Sequence, residues 1–78
     1  MLKKLRQTKG FSQSQLAADS GVNLRMIQKY EQGVKNINHA RVETLLKLCN
    51  SLECSLAELV DDLHLKMLII KYESRSDK

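Results

Sequence analysis

The chain has 78 residues, a net charge of +4, no proline and only three aromatic side chains. That length suits one domain and not two, and no apolar run approaches the roughly 18 residues of a membrane span. The basic start MLKKLRQTKG is followed by no apolar signal-peptide core, so a cytosolic location is expected.

The charge is unevenly spread. Residues 1–47 carry nine of the 13 basic residues and only three of the nine acidic ones, whereas residues 48–78 are net acidic. A basic first part suits a face that meets a polyanion, although a solvated lysine surface would give the same count. A core this small confers modest stability, which dimerisation would raise.

The first helix begins near residue 1 with Leu2 and Leu5 on one stripe and runs to Thr8 or Lys9, where Gly10 stops it. Ser12 is an N-cap, and Gln15 three residues later completes a capping box. Phe11 and Leu16 stand where a hydrophobic staple would sit. The second helix follows over Gln13–Ser20 and ends at Gly21. Asn23 caps a third helix over Leu24–Gln32, with Met26, Ile27 and Tyr30 inward and Gly33 as its stop. The loop VKNIN has turn chemistry with Ile37 as an apolar plug.

Asn38 is placed to cap a fourth helix, whose apolar stripe is Val42, Leu45, Leu46, Cys49 and Leu52. Ser55 and Glu58 form a second capping box. The fifth helix runs to about Leu63, with Leu56, Leu59, Val60 and Leu63 facing in. The segment LHLKMLIIKYES has a rough period of two and reads either as a short strand or as an extension of the fifth helix. Its apolar residues, Leu65, Met67, Ile69 and Ile70, need a partner, and a second copy of the chain is the expected one. Residues 74–78 are expected to fray.

Residues 12–33 therefore read as helix, tight turn, helix, with a polar outer face on the second helix. That arrangement lets one helix brace on a DNA backbone while the next lies in the major groove. With these residues placed, the chain resembles the helix-turn-helix domain of the Cro/lambda-repressor (XRE) family over roughly residues 2–63. The similarity lies in Gln13, Leu16, Ala17, Gly21, Val22, Ile27 and Tyr30, in YEQG at residues 30–33, and in ETLLKL at residues 43–48. It also includes the short capped fifth helix. The chain departs from the family pattern in a longer loop at residues 34–40 without proline, and in Ser20 at a place that is commonly apolar. The resemblance implies an all-α, five-helix lambda-repressor-like domain at residues 1–63; residues 64–78, a short C-terminal strand or helical extension, fall outside the family pattern, and their unpartnered apolar residues make them a candidate dimerisation segment.

Site expectations follow from the same likeness. The resemblance makes Leu24, Arg25 and Lys29 base readers, and Gln28 lies beside them. Arginine and lysine suit guanine acceptors, glutamine suits adenine, and leucine can pack on a thymine methyl. Gln13 is implied to clasp a phosphate, with Asn23 combining capping and a phosphate contact. Lys35, Asn36 and Asn38 belong to a loop that tracks the sugar-phosphate chain in such proteins, and Arg6 and Lys9 are placed to do likewise. Arg41 can reach the backbone or pair with Glu43 or Glu31.

Nothing points to catalysis: no serine sits in a nucleophile elbow, and no glycine-rich phosphate loop is present. Cys49 and Cys54 with His39 and His64 make no recognised zinc spacing, so they read as core cysteines with no metal or cofactor. Asp61 and Asp62 read as solvated charges that end the fifth helix. The expected function is a regulator, acting as a repressor, that binds double-stranded palindromic DNA as a homodimer. A protein-interaction module, such as an antitoxin masking a toxin with its apolar tail, is the competing reading. RNA binding is disfavoured by the lack of aromatic platforms.

Overall fold

A computed structural model describes residues 1–76, and all the regular secondary structure in that span is helical, with no strand among the described residues. The order is α1 (Leu2–Lys9), α2 (Gln13–Ser20), α3 (Leu24–Gln32), a 3-10 turn (Ile37–His39), α4 (Val42–Leu52), α5 (Leu56–Leu59) and α6 (Leu63–Ser76). The all-α architecture expected from the sequence is the one found.

Local chemistry sets most of these boundaries. Ser12 Oγ accepts from the Gln15 backbone N–H at 3.0 Å, and Gln15 Oε1 accepts from the Ser12 N–H at 2.8 Å. Two otherwise orphaned donors at the start of α2 are thereby satisfied. Gly21 takes φ 77°, a left-handed conformation that is easy for glycine and that turns the chain between α2 and α3. Asn23 Oδ1 then accepts from the Arg25 N–H at 2.8 Å and opens α3. Ser55 and Glu58 repeat the reciprocal box at α5, with bonds of 3.1 and 2.8 Å. The end of α4 is different. It stops on Glu53 at φ 51°, the one non-glycine residue with positive φ among the described residues.

The core lies where α2, α3, α4 and α5 meet, and α1 closes it from the side of α3 and α4. Leu16, Ile27, Leu48, Leu59 and Val60 are fully buried there. Phe11 packs half-buried against the same cluster, in keeping with the staple expected with Leu16. Ile37 plugs the loop after α3 as expected, at 5% exposure.

Several expectations are corrected. The buried stripe of α4 is Leu45, Leu48, Cys49 and Leu52, while Val42 and Leu46 are exposed. The buried set keeps the i, i+3, i+4, i+7 spacing, turned by part of a residue step from the one expected. Asn38 does not cap α4. Arg41 occupies that cap without a side-chain bond, and Asn36 caps the 3-10 turn instead. The fifth helix stops at Leu59 rather than Leu63, leaving Val60 buried but Leu63 71% exposed.

The chain after α5 is a separate helix and not a strand or a continuation. Asp62 Oδ1 accepts from the His64 and Leu65 N–H groups at 2.8 and 3.2 Å, so Asp62 starts α6 instead of ending α5. Such capping by aspartate is strongly preferred at helix starts. Lys66 Nζ donates to the Ala57 carbonyl and ties α6 back to α5. The residues expected to fray include the last helical turn at residues 74–76, and Asp77 and Lys78 lie outside the described residues.

Candidate nucleic-acid interface

The first turn of α2, the outer face of α3 and the loop at residues 34–40 follow one another in the chain, and the capped turns fix how they follow. Leu24, Arg25 and Asn23 are exposed at the start of α3. Gln28 and Lys29 are half-buried one turn further on. Arg25 and Lys29 are four residues apart and so share a face. Among the described residues neither side chain has an ion pair or hydrogen bond within the protein, and Lys35 has none either. Three basic groups on α3 and the following loop are thus left with their charges uncommitted.

Gln13 lies at the first residue of α2, where the backbone N–H groups have no partner within the helix. Its side chain is committed: Nε2 donates to Glu31 Oε1 at 3.1 Å. Glu31 is in turn held by Arg6, which donates through Nε and Nη2 at 2.7 and 3.0 Å. Arg6 Nη1 also donates to the Phe11 carbonyl at 2.8 Å. The Arg6 and Glu31 side chains are only 11% and 4% exposed. Burial pushes the Glu31 carboxyl up, but hydrogen bonds from Arg6 and Gln13 and the charges of Arg6 and Lys3 outweigh it. The net position is below the usual glutamate range.

This tie removes two options left by the sequence. Arg6 is not a free phosphate contact but the partner of Glu31, and Glu31 is taken by Arg6 rather than Arg41. The separation of 25 residues hides the pair from any local reading. Lys9, the other α1 base expected near the backbone, pairs with Glu53 at the end of α4.

The loop asparagines act on the protein's own backbone. Asn36 Oδ1 accepts from the Asn38 N–H at 2.9 Å. Asn38 Oδ1 accepts from the Asp61 and Asp62 N–H groups at 2.8 and 3.0 Å. Asn38 therefore ties the loop to the junction before α6. Each asparagine keeps its amide N–H donors. Asn23 is the cap that the sequence predicts.

On α6, the four expected dimer residues divide into two pairs. Leu65 and Ile69, four apart, are half-buried against the protein's own core, whereas Met67 and Ile70 are 63% and 56% exposed. Leu63, Leu68 and Tyr72 are exposed as well. The cysteines are internal. Burial, with Cys54 alongside, pushes the Cys49 thiol up to about 12, so it stays protonated at neutral pH. Among the described residues no group of three His, Cys, Asp or Glu could hold a metal ion, and no helix is long and apolar enough to cross a membrane.

A family model described as helix-turn-helix matches residues 2–59. That span runs from the start of α1 to the end of α5 and takes in all of α2 and α3. No curated protein and no solved structure matches the chain.

Proposed function

The chain belongs to the Cro/lambda-repressor (XRE) family of helix-turn-helix domains and is a DNA-binding regulator; on that premise we propose that it represses transcription by binding a palindromic operator as a homodimer. In this reading α3 lies in the major groove. Arg25 and Lys29 read base edges with Leu24 and Gln28 beside them. Gln13, Asn23, Lys35, Asn36 and Asn38 position the domain on phosphates through their N–H and ammonium donors. Residues 64–78 supply the contact between copies, through Met67 and Ile70 above all, with Leu65 and Ile69 at its edge. The protein works in the cytosol, needs no cofactor and carries no catalytic group.

The observation that carries this reading is the pair of unpaired cations, Arg25 and Lys29, on the face of a helix capped at both ends. Surface ion pairs are weak, and neither side chain is drawn into one. These two instead remain available for guanine acceptors and phosphates.

Selection from a random duplex pool tests the proposal, followed by titration of the enriched sequence at several salt concentrations. The expected result is an inverted repeat with half-sites about 34 Å apart, one helical turn. Affinity should fall steeply with salt, by roughly one unit of log–log slope per phosphate neutralised. Arg25→Ala should relax one position in each half-site. Weak binding to every duplex with no enriched motif would overturn it.

A second reading has its own support in α6, where five large apolar side chains are exposed. A protein-interaction module of the antitoxin kind would cover them with a different protein and bind DNA only for autoregulation. Sedimentation of the purified chain separates the two. A discrete dimer favours the first reading, and a monomer that gains stability only with another protein favours the second.

A further inference from the structure

We propose that Glu31 is a positioning residue for DNA binding: it orients the Gln13 side-chain amide so that Gln13 meets a backbone phosphate. The inference rests on the reading of Gln13 as a phosphate contact given above. A glutamine in the first turn of an exposed helix has three rotatable side-chain bonds, and few of its rotamers present an N–H to a phosphate. Here the choice is narrowed. Glu31 Oε1 accepts one N–H of the amide at 3.1 Å. An ionised carboxylate offers acceptors only, so it selects the nitrogen end of the amide. The amide nitrogen has a second hydrogen, and the Gln13 backbone N–H lies in the open first turn of α2.

Glu31 can hold Gln13 because it is itself held. The forked guanidinium of Arg6 grips both carboxylate oxygens, at 2.7 and 3.0 Å, and a third Arg6 nitrogen is anchored on the Phe11 carbonyl. Phe11 immediately precedes the Ser12 cap of α2. The resulting ring joins the middle of α1, the entry to α2, the first residue of α2 and the last turn of α3. Bidentate grip fixes direction as well as distance. Arg6 has a second effect: its charge neutralises the carboxylate, so that Glu31 does not repel the phosphate that Gln13 is to meet.

A double-mutant cycle on the full chain, read as Kd for the selected operator at fixed salt, tests this. The variants are Gln13→Ala, Glu31→Asp and the two combined. Glu31→Asp keeps the charge for Arg6 but withdraws the carboxylate by one methylene from Gln13. Gln13→Ala should weaken binding by about tenfold, the scale of one lost hydrogen bond to a charged group. Glu31→Asp should weaken binding several-fold when Gln13 is present and by less than about twofold in the Gln13→Ala background, since residues acting as one unit are not additive. Glu31→Gln, melted and titrated alongside, should follow the same pattern wherever it remains folded.

An equal loss from Glu31→Asp in both backgrounds would overturn the proposal, because Glu31 would then act on the fold or on the α2–α3 angle rather than through Gln13. An unchanged Kd for Gln13→Ala overturns it too, by removing the contact that Glu31 is said to position. Failure of the unmodified chain to select any duplex would instead overturn the functional reading itself, and this inference with it.

Discussion

Leu16, Ile27 and Leu48 are fully buried, while Met67, Leu68, Ile70 and Tyr72, similar in chemistry and also helical, keep half or more of their surface in solvent. The difference is one of neighbours. In α1–α5 each apolar stripe faces another helix, and the capped turns fix the angles at which they meet. In α6 the apolar residues form two opposite stripes, with His64, Lys71 and Arg75 between them on one side and Lys66 and Glu73 on the other. Leu65 and Ile69 face the protein's own core. Leu68 and Tyr72 complete the i, i+3, i+4, i+7 stripe of that face but stay exposed, and Leu63, Met67 and Ile70 follow the i, i+4, i+7 spacing of a second, opposite face. A helix with apolar residues on two opposite faces needs a neighbour on each. The core of the body is thus closed, whereas α6 covers one of its apolar faces only in part and leaves the other in solvent. That exposed face is the physical support for the proposed contact between copies.

Substitutions break or sharpen that contrast in descending order of effect. Leu48→Ala, at a site with no exposure, should cost about 2–5 kcal/mol in urea denaturation. A smaller loss would mean the body is as loosely packed as α6. Glu31→Gln should cost about 2 kcal/mol at neutral pH, since it leaves Arg6 without its charged partner. This loss depends on pH. The Glu31 carboxyl sits below its ordinary range in the folded protein. Its contribution is therefore complete above the unfolded-state value, about 4.3, and disappears as the pH falls through the lower folded-state value. Melting curves of the two proteins should diverge at pH 7 and converge in acid. Curves parallel at every pH would show that the carboxylate charge plays no part.

Ser12→Ala removes one half of a capping box and should lower stability by about 1 kcal/mol. Calorimetry on that variant tests whether local capping or tertiary packing dominates α2. Ile70→Lys should change the melting of dilute protein by less than about 0.5 kcal/mol, yet shift sedimentation toward the monomer. A large loss of stability in dilute protein would instead place Ile70 in the core and dissolve the distinction between body and tail.

The start and end of α2 and α3 were legible because their signals are local. Ser12 with Gln15, then Gly21, Asn23 and Gly33, each act within a few residues of the boundary they set. The end of α5 was not, because Val60 and Leu63 continue an apolar stripe on paper. In the fold Asn38, more than 20 residues away in sequence, takes the backbone N–H groups of Asp61 and Asp62. Asp62 then begins a new helix. Its adjacency to Asp61 suggested an ending, although an aspartate before an apolar run is also a helix start. In α6 the alternation of Leu65, Met67 and Ile69 imitated a strand, and the four-residue spacing of Leu65 and Ile69 was the signal that mattered.

The candidate site divides along the same line. That Arg25 and Lys29 share one face of α3 follows from helical spacing alone. The Arg6–Glu31–Gln13 tie was not legible, because it joins three helices by contacts that no periodicity encodes. The inward turn of Arg6 is hidden for a related reason: a basic residue in a basic stretch gives no sign that it meets a carboxylate.

Glu53 carries a consequence for how this chain tolerates change. Glycine is a poor replacement at most helix ends that already have a side chain in ordinary geometry. Residue 53 inverts that rule, since its backbone already lies in the left-handed region at φ 51°, where an ordinary side chain costs roughly 1–2 kcal/mol. Glycine or asparagine there gives up the ion pair with Lys9 but relieves the backbone, while a β-branched residue loses on both counts. Across a library of single variants, position 53 should therefore rank glycine and asparagine high and valine and isoleucine low, the opposite of the order expected inside α4 immediately before it.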